Sequence, residues 1–358
     1  MTDTAVSGDD VVVRAFIGSF TSAGGRGVTA VAVDPESGAL TVLGATDAVP
    51  DPSYLALGHG PGGRTLYAVS ETEPGAVAAL DISADVPRPL GGLRPVDGDG
   101  PTHLALAAGH LLTANYGSGS VSVLPVRAGG TPGPVASVLP HTGSGPDRDR
   151  QLAPHAHQVL PDPSGNWVLG VDLGTDSVRV CALDPATGEL RVHDETRLRP
   201  GTGPRHLAFH PEGGHAYVLN ELAPTVTVCR WNAAAGALEP VGETSVLPEG
   251  AGDGAAPTYP SEVVVSHDGR FLWTANRGAD TLSVLALDAT GERATLVTTV
   301  DCGGHWPRDL VLDPTGRRLY AANERSGDVS WFDIDPETGV PRRAGSLAAP
   351  AASCVIFA

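Results

Sequence analysis

Residues 260–278 read PSEVVVSHDGRFLWTANRG. A proline opens a short apolar run, a turn centred on Asp268-Gly269 follows, and a second apolar run ends on Asn276-Arg277. The same sentence is written six times in full. It recurs as PSYLALGHGPGGRTLYAVSE from Pro52, PTHLALAAGHLLTANYG from Pro101 and PHAHQVLPDPSGNWVLGVDLG from Pro154. It returns as PRHLAFHPEGGHAYVLNEL from Pro204 and PRDLVLDPTGRRLYAANERSG from Pro307, and a shortened copy, PAASCVIFA, starts at Pro350. The anchor prolines lie between 43 and 56 residues apart. A period of roughly fifty residues with several short strands per unit is the arithmetic of a propeller.

A third run in each unit alternates at period 2, as a strand with one buried face must: VSVLPV after Ser120, VRVCALD after Ser177, VTVCRW after Thr225, LSVLALD after Thr281. Turns of the form D-P-A-T-G, D-P-E-S-G and D-P-E-T-G then lead to a fourth strand. Seven anchors predict an all-β, seven-bladed propeller of four-stranded antiparallel blades, spanning 1–358 as one domain. The last copy holds only one strand, SCVIFA, and the amino-terminal runs VVVRAFIGSF, GVTAVAVD and ALTVLGA supply three. Their pairing would close the ring and remove its open edges. Residues 1–10 are expected to be flexible, and 127–153, rich in Gly, Pro and Asp, to form a long loop near the channel mouth.

Composition removes several functions. The 23 basic residues are all arginine, so lysine Schiff-base chemistry and a Walker A lysine are excluded. With 41 acidic residues the net charge is −18, which argues against nucleic acid and anionic membrane as partners. No stretch approaches 18 consecutive apolar residues, and the acidic opening MTDTAVSGDD lacks the features of a signal peptide. Cys181, Cys229, Cys302 and Cys354 are too scattered for a disulfide framework or a thiolate metal site. A cytoplasmic monomer with reduced thiols is expected.

In antiparallel neighbours the start of the first strand lies beside the end of the second. The anchor prolines are followed by Ser53, Thr102, His155, Arg205, Ser261, Arg308 and Ala351. The second strands end on Ser70-Glu71, Asn115-Tyr116, Asp172, Asn220-Glu221, Asn276-Arg277 and Asn323-Glu324. Histidines, arginines and carboxylates therefore converge on one mouth of the channel, the default place for an active site. The plainer alternatives are specific. Asn115, Asp172, Asn220, Asn276 and Asn323 can serve only as turn acceptors, and Arg205 and Arg308 can be salt-bridged to Glu221 and Glu324. His157 stands where Leu55, Leu104, Leu207, Val263 and Leu310 stand in other copies, so it is either a ligand of the site or a satisfied core histidine. His155-Ala156-His157 has H-x-H metal spacing with Asp172 near, yet no third ligand is compelling, and no metal is assigned.

On the motifs IGSFTS, PSYLAL, LLTANYGSGSVSV, DRQLAPHAHQV, VDLGTDSV, GPRHLAFHP, YVLNEL, DGRFLWTANRGADTLSV and WPRDLVLDPTG, the chain resembles the seven-bladed propeller lactonase family. That family includes propeller-type 6-phosphogluconolactonase and fungal 3-carboxy-cis,cis-muconate cyclase. The resemblance implies a channel-mouth site built from a histidine, a glutamate and arginines. Carried over, these are His155 or His157, Arg205, Glu221 and Arg277 as catalytic residues. Arg150, Asp172, Asn276, Arg308 and Glu324 would bind substrate. It implies hydrolysis of 6-phosphogluconolactone or a related sugar or carboxylated lactone, without a cofactor. Glu221 or His157 would activate water, Arg205 and Arg277 would hold the oxyanion, and a remaining arginine would bind an anionic substituent. A lactonising muconate-type cycloisomerase and a non-catalytic interaction platform are the alternatives.

Overall fold

The computed structural model describes residues 13–60, 63–251 and 257–358. Seven antiparallel sheets follow one another along the chain. Their inner strands are Leu55–Gly60, Pro101–Ala107, Ala156–Pro161, Pro204–Phe209, Tyr259–Val265, Pro307–Leu312 and Ala352–Phe357. Each contacts the next, and the last returns to the first, so the ring is closed around a channel. Blades are named here first to seventh in that order. Closure is made as the repeat implied: Ala352–Phe357 pairs with Val13–Ser19, with Ile17 opposite Val355. The stretch expected to be flexible, residues 1–10, lies outside the described residues. Among the described residues the only helix is the turn Thr21–Ala23, and none is long and apolar enough to cross a membrane.

The alternating apolar residues of the sequence meet between blades. Leu169, Val171, Val178 and Val180 of the third blade pack on Leu207, Val218, Cys229 and Trp231 of the fourth. Burying each such side chain contributes about 1.5–3 kcal/mol. Polar ties fix the angle between neighbours. Tyr67 Oη donates to Gly130 O (2.7 Å), Tyr217 Oη to Gly291 O (2.9 Å), Trp273 Nε1 to Gly339 O (2.8 Å) and Tyr320 Oη to Gly38 O (2.8 Å). In each case an aromatic from a second strand reaches the turn after the third strand of the next blade. All four cysteines are free and buried.

Two expectations need correction. The segment 127–153 is not all loop, because Ser137–Pro140 is the outer strand of the second blade, paired with Ser120–Val123. Only the part beyond it crosses to the mouth. The first blade departs from four strands at its rim, where Arg88–Pro89 and Arg94–Pro95 both pair with Ala76–Asp81. Proline cannot donate to a ladder, so that edge breaks into two short pieces.

Candidate active site

A register slip recurs at the start of the inner strands. In the fourth blade Pro204 faces Asn220 and His206 faces Leu219, which leaves Arg205 as an extra residue. The same slip leaves Thr102, His157, Ser261, Arg308 and Ser353 unpaired in the second, third, fifth, sixth and seventh blades. A bulge of this kind re-aims one side chain. Here the bulged residues form a belt around the channel. Thr102 Oγ1 donates to His157 O (3.2 Å), Ser261 Oγ to Pro307 O (2.6 Å), and Arg205 Nη1 to Ser261 O.

This register corrects the position of His157. Ala156, not Pro154, faces Asp172, so His157 matches Arg205 and Arg308, and Val159 matches the leucines. The third copy carries two extra residues after its proline. His157 is thus a belt residue rather than a histidine in a core slot.

The arginines gather on Glu221, at the end of the fourth blade's second strand. Its Oε1 accepts from Arg150 Nη2 at 2.7 Å; its Oε2 accepts from Arg277 Nη2 at 2.6 Å and lies 3.2 Å from Arg205 Nε. Burial alone would raise the Glu221 carboxyl, but Arg277, Arg205 and Arg150 outweigh it and bring it down to about 2. Arg205, buried beside Arg277, is lowered to about 9 and stays charged at neutral pH. Three guanidinium groups against one carboxylate leave this side of the mouth formally +2. Aromatic rings hold three mouth arginines in place: Arg150 lies 6.0 Å from the Tyr259 ring, Arg277 5.6 Å from Trp306 and Arg308 5.0 Å from Phe20.

On the sixth blade, Arg308 lies between two carboxylates and hydrogen-bonds one of them, Glu324. Its Nη1 is 3.4 Å from Glu324 Oε2 and its Nη2 3.6 Å from Glu71 Oε1. Burial raises the Glu71 carboxyl, and Arg308, Ser53 and Arg205 offset only part of that. Glu71 Oε2 is buried with no hydrogen-bond partner.

The two histidines of the H-x-H motif both touch Tyr116. His155 stacks on it at 4.4 Å, and His157 meets it edge-on at 5.5 Å. His155 Nδ1 lies 2.9 Å from Tyr116 O and must donate there. Burial and Arg205 push the His157 imidazole well below its usual range, so it is neutral. Asp172, expected near this pair, is turned into the third blade: it accepts from the backbone of His155 and Thr175 and meets His141 Nδ1 at 2.6 Å and Arg179 Nη1 at 3.4 Å. Asn276 is likewise turned inward, donating to Thr281 Oγ1 (3.1 Å) and Ser283 Oγ (2.7 Å). Asn115, Asn220 and Asn323 make the same staple in their blades. Asp172 and Asn276 therefore hold their blades together and do not face the mouth. Among the described residues no group of His, Cys, Asp and Glu is placed to hold a metal ion.

One layer of polar residues escaped the sequence reading. It follows the belt by one residue and includes Tyr54, His103, His206, Glu262 and Asp309. His206 Nδ1 donates to Glu262 Oε2 at 2.7 Å, and Glu262 is hydrogen-bonded to Asp309. Burial raises Glu262 to about 7 and Asp309 well above its ordinary value, the second helped by the first. The two carboxyls hold a proton between them at neutral pH. Aligning the copies on their strand pairing would have revealed the layer, since one polar residue then recurs directly before the apolar position.

A closed propeller with arginines and carboxylates converging on one channel mouth presents a single axial site of the kind that binds small anionic ligands. The chain belongs to the lactonase, 7-bladed beta-propeller family, whose model matches residues 14–357. It is 33% identical over 351 residues to a 6-phosphogluconolactonase of Bacillus subtilis (strain 168), covering 96% of this chain and 97% of the relative. The Pseudomonas aeruginosa periplasmic gluconolactonase superposes with a TM-score of 0.89 at 28% identity, over 97% of this chain and 99% of that one. A crystal structure of a Lactobacillus plantarum protein superposes at 0.90 with 28% identity, over 97% and 100%. The protein is a hydrolytic enzyme of this family.

Proposed function

We propose that the protein hydrolyses a sugar lactone bearing an anionic group, with 6-phosphogluconolactone the first candidate. The observation that carries this reading is the Arg150–Arg205–Arg277 trio around Glu221. A guanidinium fork matches phosphate or carboxylate, and one carboxylate cannot neutralise three of them. Arg150, whose side chain is 34% exposed, is the member of the trio a substrate anion meets first, with Arg277, at 8%, behind it. Arg205, at 4%, supports them from below and ties the trio to the belt. His155 and neutral His157, beside Tyr116, offer hydrogen bonds to sugar hydroxyls.

This arrangement changes the roles expected from sequence. Glu221 is a poor water-activating base, because both its oxygens are engaged and its basicity is spent on three cations. Its part is to gather the arginines. Arg205 and Arg277 act chiefly on the anionic substituent rather than on the carbonyl. The names of the relatives agree with both a phosphorylated and an unphosphorylated gluconolactone, and the arginine trio favours the former. The test is pH-stat hydrolysis of freshly made 6-phosphogluconolactone and of glucono-δ-lactone side by side. A kcat/KM at least tenfold higher for the phosphorylated substrate is expected, since one charge-assisted contact contributes about 1.5–3 kcal/mol. Neither lactone opening faster than its spontaneous rate would rule the reading out.

A further inference from the structure

We infer that Glu71 is the general base that activates the attacking water, with Arg308 facing the lactone carbonyl. This assignment rests on the lactonase reading above and places its chemistry on the first and sixth blades, beside the arginine trio and not on Glu221. Glu71 is the first residue after the second strand of the first blade, the place Glu221 takes in the fourth and Glu324 in the sixth. The three are not alike. Glu221 is fully engaged by cations at 2.6–3.2 Å, whereas Glu71 keeps Oε2 without any partner, and its nearest cation stands off at 3.6 Å. Arg308 makes its hydrogen bond to Glu324, and Glu71 stays outside that distance. A carboxylate with no cation at bonding distance keeps the basicity that Glu221 has given up.

Charge orients the substrate to match. The trio with Glu221 is formally +2, and Arg308 between Glu71 and Glu324 is formally −1. A substrate anion therefore goes to the trio, and the lactone ring extends toward Arg308 and Glu71. The proton balance of the step is simple. The Glu71 carboxylate takes a proton from water as the water oxygen bonds to the carbonyl carbon. The carbonyl π pair moves onto oxygen, opposite the Arg308 guanidinium. Collapse breaks the bond from carbon to ring oxygen, and that oxygen takes the proton back from Glu71. The new carboxylic acid then ionises, releasing one proton to solvent. The groups facing Glu71 are Arg308, Arg205, Ser53 and Glu324, and burial raises its carboxyl despite the two arginines. Its acid limb in kcat/KM should thus lie above the ordinary glutamate range.

The experiment compares wild type, Glu71→Gln and Glu71→Ala on 6-phosphogluconolactone, with melting temperatures measured in parallel. For Glu71→Gln, kcat should fall 10²–10⁴-fold, the usual worth of a general base, while KM changes less than about threefold. The acid limb should vanish, and formate should restore part of the activity of Glu71→Ala. A counter-ion role would instead raise KM or lower the melting temperature and leave kcat and the limb in place. Retention of more than a tenth of the wild-type kcat in a folded Glu71→Gln overturns the assignment. If the Gln variant does not fold, Glu71→Asp retains the charge beside Arg308 but withdraws the oxygen by one methylene. Its kcat should drop at least tenfold, and an unchanged kcat overturns the assignment equally. A silent wild type rejects the lactonase reading itself, which separates the two failures.

Discussion

Glu221 shows how a buried ion cluster can be decided by numbers. Removing one member of a buried pair generally costs about 3–5 kcal/mol, because the remaining charges are left uncompensated. In Glu221→Gln three arginines lose their common anion, so a lower melting temperature at pH 7 and a large loss of kcat/KM are expected. The pH dependence gives the sign. The carboxyl is held at about 2 in the fold against an ordinary glutamate value of 4.5, a depression worth about 3 kcal/mol at 1.36 kcal/mol per unit. A depressed acid stabilises the fold fully above about pH 4.5 and ceases to do so as pH falls through about 2. The stability gap between wild type and Glu221→Gln should therefore shrink between pH 7 and pH 3, as measured by chemical denaturation. A gap that stays constant over that range would show that the loss is one of packing and not of charge.

At the scale of the element, the inner strand does two jobs that need different backbones. Its later residues pair regularly and fill the space between blades, as Leu207, Val263 and Leu310 do. Its first residues bulge, and the bulge directs one side chain per blade to the belt. The seventh blade depends on a strand from the far end of the chain. Ala352, Cys354 and Val355 are buried against Ile17, Phe16 and their neighbours. Deleting residues 352–358 would expose both edges of the opened ring and forfeit several buried side chains at about 1.5–3 kcal/mol each, against a total stability of order 5–15 kcal/mol. The truncated chain should show no cooperative unfolding transition by calorimetry. A transition within a few degrees of the full-length protein would mean that the ring is held shut by something other than this strand.

The whole molecule carries −18 and yet receives an anion in the proposed reaction. The two fields act over different ranges. The global repulsion is felt at long distance in dilute buffer, where the Debye length is about 30 Å, and is largely screened at physiological salt, where it is about 8 Å. The trio acts in contact, on partly buried groups that salt screens less. Raising NaCl from 10 to 150 mM should therefore increase kcat/KM for the phosphorylated lactone and leave that for glucono-δ-lactone unchanged. A decrease for the phosphorylated substrate would mean that the local cluster governs approach at all distances.

What the sequence by itself determined is the architecture. The fifty-residue period, the alternating third runs and the lone final strand have one compact solution, since each blade can bury its faces only against its neighbours and the ring must close. It also marked Arg205, Glu221, Arg277, Arg308 and Glu324, because charged residues at strand ends in a propeller share a mouth, while Arg150 came only with the family resemblance. The ion pairs Arg205–Glu221 and Arg308–Glu324, weighed as plain salt bridges, are both present, at 3.2 and 3.4 Å. Only the tertiary structure decided which way side chains turn. Asp172 and Asn276 occupy the same strand-end position as site residues, yet hydrogen bonds from Thr, Ser and backbone groups within their own blades claim them. His157 changed rank through a register slip that no count of residues from the proline reveals. Glu71 stood in view among the strand ends, but its distinction from Glu221 is the number of cations that reach it, and cations from three blades and a loop come together only once the ring has closed.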